Sequence, residues 1–349
     1  TILILFSLMG MLTALWRAGG TISFIIYHTI PLIDPSLFVM FSFLLCSLVS
    51  SLTGTSFGTV STMGVICMMM GQTLEIPAFY LGGAIVSGIF VGDRCSPVSS
   101  SALLVRELTG TDIYVNIKNM IKTSIVPFVF SVVFYAITGH VSVNGSVSNE
   151  SIAFFAQNFN LSPWVILPAL IIVIFTIVKL DIRITMICSI IAGAFVCIWF
   201  QDMSIYELLR CMIMGYHSGN TEYAALMDGG GLISMVQTIA IILISSSYFG
   251  IFQDTKLLDK IKLWSFTMAE HTTDFATVLI VSIITSALSC NQTLATMLTY
   301  EITEKIVPDR EKLALYLENS VIIVSALIPW SIAVAFPLAT IGAPISSII

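Results

Sequence analysis

Residues 37–71 contain no Asp, Glu, Lys, Arg or His. As a straight helix at about 1.5 Å per residue they would reach roughly 50 Å, against a membrane hydrocarbon core of about 30 Å. Such a segment must turn back, break or tilt. Residues 1–33, 76–103 and 313–349 are also too long for one perpendicular crossing. In the second of these, Gly92-Asp93-Arg94-Cys95-Ser96-Pro97-Val98-Ser99-Ser100-Ser101 directly follows the apolar stretch Ile76 to Val91. One charged side chain at a helix centre lies about 2.5–3.5 kcal/mol uphill on insertion scales, so Asp93 and Arg94 must face protein or water. Gly92, Pro97 and the serine cluster predict a helix break. Non-helical backbone at membrane depth is tolerated only where it packs in protein or lines a cavity.

Composition fixes the class. With 57% hydrophobic residues, 10% charged residues and a mean hydropathy of +0.99, the chain is not a water-soluble globule. A porin-like barrel would alternate with period two over about ten residues, whereas these apolar stretches are long and continuous. The expected fold is an all-α polytopic membrane protein. The formal charge is −6 and no basic, aromatic-interleaved patch exists, so no nucleic-acid partner is expected. The cysteines are scattered with no C-x-x-C pair and read as small packing residues, not as a disulfide framework or metal site. There is no H-E-x-x-H and no Ser, His and Asp grouping, so no enzyme and no cofactor are expected. The chain opens on Thr1 without a basic n-region, which reads as missing N-terminal residues instead of a signal peptide.

Apolar runs punctuated by Pro, Gly and charge give candidate spans near 1–33, 37–71, 76–103, 120–139, 163–180, 183–200, 228–252, 275–299 and 313–349. Cytoplasmic loops collect Lys and Arg. On that rule 104–122, 179–183 and 253–274 lie inside, and 140–162 and 201–227 lie outside. The segment 275–299 then enters and leaves from inside as a re-entrant hairpin with its tip near Ser289-Cys290-Asn291-Gln292-Thr293. The segment 37–71 does the same from outside, with the tip Thr53-Gly54-Thr55-Ser56-Phe57-Gly58-Thr59. Each hairpin is followed by a discontinuous transmembrane helix, 76–103 through Gly92-Asp93-Arg94 and 313–349 through Glu318-Asn319-Ser320 and Pro329, Pro337 and Pro344. Two oppositely oriented units of one design are an inverted repeat, here 1–119 and 228–349, with 120–227 as connecting helices and loops. This architecture puts binding at the bilayer midplane, where hairpin tips and helix breaks converge.

The stretch Leu52-Thr53-Gly54-Thr55-Ser56-Phe57-Gly58-Thr59, the run Gly92-Asp93-Arg94-Cys95-Ser96-Pro97-Val98-Ser99, and Leu317-Glu318-Asn319-Ser320 followed by Leu327-Ile328-Pro329-Trp330 resemble the NhaC family of sodium/proton antiporters, within the wider ion transporter superfamily. The resemblance runs from Ala18-Gly19-Gly20-Thr21 to the last residues. It implies a multi-pass protein of the cell (inner) membrane that exchanges Na⁺ for H⁺, with some relatives coupling these ions to organic acids such as malate and lactate. Departures from the family pattern are informative. Ser100-Ser101-Ala102 stands where the family usually has Asp-Thr-Thr, Asn291 where it has an acid, and Asn319 where its Leu-Glu-Asp-Ser has Asp. Asp93 and Glu318 remain, and Arg94 replaces the more usual Lys.

A hard cation such as Na⁺ needs several oxygens. Carbonyls freed by helix breaks, the hydroxyls of Thr53, Thr55, Ser56, Ser96, Ser99, Thr293 and Ser320, and the amides of Asn291, Gln292 and Asn319 can supply them. Asp93, Thr55, Asn291 and Asn319 form the expected Na⁺ set, with Arg94 and Glu318 as the accompanying charges. If Asp93 holds either Na⁺ or H⁺, and only an occupied carrier reorients, exchange follows. The alternatives are a carrier of a small organic anion or amino acid held by Arg94, and, remotely, a membrane enzyme or sensor on the same scaffold. The expected partners are the lipid bilayer, the transported ion or small solute and, as an option, a second copy in a homodimer.

Overall fold

Two glycine-led features decide how the first half of the chain folds. Gly19 and Gly20, the latter at φ 76°, stop α1 (Ile2–Ala18) and start α2 (Thr21–Thr29), which is bent from it by 59°. The break frees the Gly19 carbonyl, and the Gln201 side-chain amide donates to it at 3.0 Å. Gly54, at φ 66° and ψ 17°, ends α3 (Phe38–Thr53) in the left-handed region. Thr55 then turns extended and caps α4 (Ser56–Thr59) by accepting from the Gly58 N–H at 3.1 Å. A π turn over Val60–Gly64 leads into α5 (Val65–Thr73).

The computed structural model describes residues 2–29, 34–97, 99–142, 156–178, 180, 182–218, 228–236, 239–240 and 257–348. Among these the secondary structure is helical, with one isolated antiparallel bridge between Tyr216 and Gly229. The next elements are α6 (Ala78–Cys95), α7 (Ser100–Thr109) and α8 (Ile113–Ser142). Then come α9 (Leu167–Ile177), α10 (Ile182–Phe200), α11 (Ile205–Met214) and α12 (Leu257–Ala269). The last group is α13 (Asp274–Ser289), α14 (Gln292–Thr303), α15 (Arg310–Asn319), the short α16 (Val321–Val324) and α17 (Ile332–Ile341).

Helix α3 packs along α6 through small residues. A Cβ on Gly88 would lie 2.7 Å from the Phe43 carbonyl oxygen, and one on Gly92 would overlap the Ser50 backbone. The Ser50 hydroxyl donates to the Ile89 carbonyl across the same contact. Close backbone approach with hydroxyls as glue is how helices associate where lipid offers no hydrophobic contrast. Helix α13 meets α15 and α16 in the same manner, with Ser282 donating to Ser320 at 2.9 Å and Ser286 and Ser325 sharing a bond at 3.1 Å.

The two helix pairs turn alike. Helices α3 and α13 are each 16 residues long. Cys290 ends α13 at φ 53° and ψ 6°, and Asn291 opens α14 at φ −141° and ψ 127°, beside −138° and 124° for Thr55. Helices α7 and α17 are each 10 residues, opened by Ser99 or Ser331 and closed by Gly110 (φ 68°, ψ 25°) or Gly342 (φ 69°, ψ 26°).

Several expected boundaries move. The break expected at Gly92 falls at Ser96–Ser99, because Gly92, Asp93 and Arg94 continue α6 and Gly92 is kept for the approach to Ser50. The span expected over 120–139 starts at Ile113, where Asp112 accepts from the N–H groups of Tyr114 and Val115. The region 201–227, expected as loop, contains α11, started by a capping box between Ser204 and Glu207. Of the expected helix 228–252, most lies outside the described residues, as do 143–155 of the 140–162 loop and 219–227.

Pro35–Thr53, Ile113–His140 and Arg183–Phe200 are long and apolar enough to cross a membrane, and the bent pair Ser7–Ala18 with Thr21–Thr29 qualifies as one broken span. Helix α8 leaves Val126, Phe130, Val133 and Ile137 exposed along one side. In water such a face would be an oversized apolar patch; against lipid it is the expected surface.

Candidate ion-binding site

Three elements bring the site together. The first tip presents Thr55, Ser56, Phe57 and Gly58, the second presents Asn291, Gln292 and Thr293, and the α6/α7 junction presents Asp93, Ser100 and Ser101. With Met9, Ile332 and Ala333 they enclose a cavity of about 260 Å³, far above the roughly 10–15 Å³ that one water needs.

Among the described residues Asp93 is the one charged residue on that wall, and it is only 3% exposed. Its Oδ2 accepts from the Gln292 amide at 3.1 Å and from the Ser101 hydroxyl at 3.2 Å. Both donors are neutral, and among the described residues Asp93 makes no ion pair. Ser99 caps α7, accepting from the N–H groups of Ser101 and Ala102, while its hydroxyl donates to the Asp93 carbonyl. Ser96 and Ser99 are buried at the break and do not line the cavity. Thr53 ties the first tip: it shares a bond with Thr59 at 3.0 Å and accepts from the Thr55 N–H at 3.3 Å. Asn291 accepts from the Thr293 N–H at 2.9 Å, and Gln292 reaches both Asp93 and, at 3.3 Å, the Ile322 carbonyl.

Arg94 points elsewhere. It donates to Ser124 and Thr123 of α8 and to the Asn319 side-chain oxygen, which also accepts from Thr123 at 3.3 Å. Asn319, expected among the Na⁺ ligands, therefore sits in this arginine cluster and is not on the cavity wall. Glu318 is fully buried, and among the described residues neither carboxylate oxygen has a hydrogen-bond partner. It is an interior group, not a solvated helix end. Ser320, at a kink of φ −120° and ψ −85°, donates to the Tyr316 carbonyl at 2.6 Å and accepts from Ser282. Sequence reasoning missed Ser101, Thr123 and Ser124. The last two follow Lys122 as a short polar run within the expected span 120–139, which is the signal that was there to read.

A hydroxyl- and amide-lined cavity, with one carboxylate held by neutral donors, is a place for a cation or a proton. The family model described as "Na+/H+ antiporter family" matches residues 88–347, which include Asp93, Asn291, Gln292 and Thr293. The chain belongs to the Na⁺/H⁺ antiporter family. It is therefore an integral membrane transporter and not an enzyme. Among similar proteins, the malate-2H⁺/Na⁺-lactate antiporter of Bacillus subtilis is 27% identical over 95% of this chain and 73% of its own. The Na⁺/H⁺ antiporter NhaC of Alkalihalophilus pseudofirmus is 27% identical over 96% and 75%. The arginine/ornithine antiporter ArcD of Halobacterium salinarum is 26% identical over 97% and 72%. No solved structure matches. Within this Na⁺/H⁺ antiporter the family match also spans Arg94 and Glu318, so both charge groups lie in the matched segment.

Proposed function

We propose that this antiporter exchanges Na⁺ for H⁺ at the Asp93 cavity, with Asp93 as the competitive group and Thr55, Ser56, Asn291, Gln292 and Thr293 as neutral partners. The observation that carries the reading is a buried carboxylate on a cavity lined in part by hydroxyls and amides, bonded by an amide and a hydroxyl and paired with no cation among the described residues. Sodium and proton each neutralise Asp93, and one excludes the other. Gln292 belongs to the second tip and Asp93 to the first half, so occupancy of the carboxylate bears on a contact between the two halves. Relatives named for NhaC exchange support the cation reading. The relative named for malate and lactate supports the alternative, a small organic anion held by Arg94. Against that alternative, Arg94 is engaged by Asn319, Thr123 and Ser124 and does not line the cavity.

An inverted repeat with re-entrant tips is part of the same proposal, in a multi-pass protein of the cell membrane. Its support is the matched pair of left-handed-then-extended turns at Gly54-Thr55 and Cys290-Asn291, together with the matched capped helices α7 and α17. Loop charge supplies the orientation.

The deciding experiment uses the purified full-length protein in liposomes, following internal pH while Na⁺, Li⁺, K⁺, malate and lactate are added in turn. Asp93→Asn keeps size and hydrogen bonding and should abolish Na⁺-driven proton flux while leaving insertion intact. Unchanged flux in that variant overturns the assignment.

A further inference from the structure

We infer that the main-chain carbonyl of Ala333 is a further cation ligand of the Asp93 cavity, made available by Pro337 one turn along α17; this rests on the cation reading above. The start of a helix ordinarily offers N–H groups and favours anions. Here those donors are already used. The Ile332 N–H donates to the Cys290 carbonyl at 3.0 Å, the Ala333 N–H to the Ser331 hydroxyl at 3.3 Å, and those of Val334 and Ala335 to the Ser331 carbonyl at 3.1 and 2.9 Å. The second tip and the cap residue have consumed the positive end of α17.

What remains is an acceptor. In an α-helix the carbonyl of residue i receives the N–H of residue i+4. For Ala333 that residue is Pro337, which lies inside α17 and has no N–H, so the Ala333 carbonyl lacks its ordinary helical donor. Ala333 is on the cavity wall. Beyond it, Phe336 is fully buried and meets the ring of Phe57, itself on the cavity wall, edge-on at 5.2 Å, which sets this turn of α17 beside the cavity. A buried acceptor without a partner is costly, and a bound cation removes that cost.

The chemistry matches a monovalent hard cation. One carboxylate balances one positive charge, and Thr55, Asn291 and the Ala333 carbonyl add neutral oxygens without further negative charge. A wall with one carboxylate and otherwise neutral oxygens suits Na⁺ or Li⁺ over a divalent ion, which would ask for more carboxylates.

The test is Pro337→Ala, which restores an N–H and lets the helix close its own bond onto the Ala333 carbonyl. In liposomes, the Na⁺ concentration giving half-maximal exchange should rise about tenfold, the worth of one charge-assisted hydrogen-bond-scale contact. Equilibrium ²²Na⁺ binding in detergent should weaken by the same factor. Pro127→Ala, which removes a helix proline from α8 away from the cavity, should leave both readouts at parental values. Parental Na⁺ affinity in folded Pro337→Ala overturns the inference. If Pro337→Ala does not fold, replacing Val334 by its α-hydroxy analogue turns the Ala333 carbonyl into a weaker ester acceptor, and the same two results decide. Asp93→Asn run in parallel separates the levels: parental binding there removes the cation site altogether, whereas lost binding there with parental binding in the proline variant removes only the Ala333 ligand.

Discussion

Asn291 and Asn319 look equivalent in the sequence, each standing where the resemblance to the family implies an acid, yet their surroundings differ. Asn291 lines the cavity and caps α14, a position where aspartate caps equally well. Asn291→Asp should therefore fold normally and add a second negative charge facing the cation, tightening Na⁺ about tenfold or more, as expected for charges a few ångströms apart in a partly screened site. Asn319→Asp instead meets Arg94 and Thr123. It should form an ion pair there and leave Na⁺ affinity within about twofold, the additive behaviour of a site outside the cavity. Titrating Na⁺ against proton flux in both variants checks the difference, and equal tightening in both contradicts the two-cluster arrangement. Asp93 was legible in the sequence because a charge in an apolar run has few places to go. The Arg94 cluster was not, because Thr123, Ser124 and Asn319 reach it from helices far along the chain, and hydrogen bonds of that range leave no local pattern.

At the scale of elements, the two tips perform one turn with different residues. Gly54 enters the left-handed region without a Cβ, whereas Cys290 holds φ 53° with one. A non-glycine residue there carries roughly 1–2 kcal/mol of strain. Gly54→Ala should thus lower stability by about that amount, while Cys290→Gly should raise it by less than about 1 kcal/mol, because glycine also gains freedom in the unfolded chain. Melting of the detergent-solubilised variants reads both signs. A loss on Cys290→Gly would mean that the thiol, not the turn, is what the position needs. The sequence announced the first tip through Thr-Gly-Thr-Ser and left the second to be inferred from loop charge, since Cys290-Asn291 has no glycine to mark it. It also placed the α6 break too early. Glycine signals either a turn or a close approach, and only the position of Ser50 shows which one Gly92 serves.

For the whole molecule, sidedness carries the argument from two similar helix pairs to an inverted repeat. A cysteine introduced near Glu75 should label from outside and one near Lys305 from inside with a membrane-impermeant reagent, and labelling of both from one side removes the inversion. The helical membrane class followed from composition and the long apolar runs, but the helix contacts within the second half did not, because packing of serine on serine in Ser282–Ser320 and Ser286–Ser325 is invisible until the helices are laid together. Asp93, the one carboxylate among the described residues of the cavity wall, has a consequence for energetics. On the proposed exchange at Asp93, a carrier loaded with one Na⁺ and the same carrier loaded with one H⁺ bear the same net charge at that site, so a one-for-one exchange moves no net charge through the field. Membrane voltage is worth about 2.3 kcal/mol per elementary charge per 100 mV to an electrogenic exchanger and nothing to an electroneutral one. Clamping liposomes at opposite potentials with K⁺ and valinomycin should therefore leave the rate and the end-point of Na⁺/H⁺ exchange unchanged, and only the two concentration gradients should set its direction.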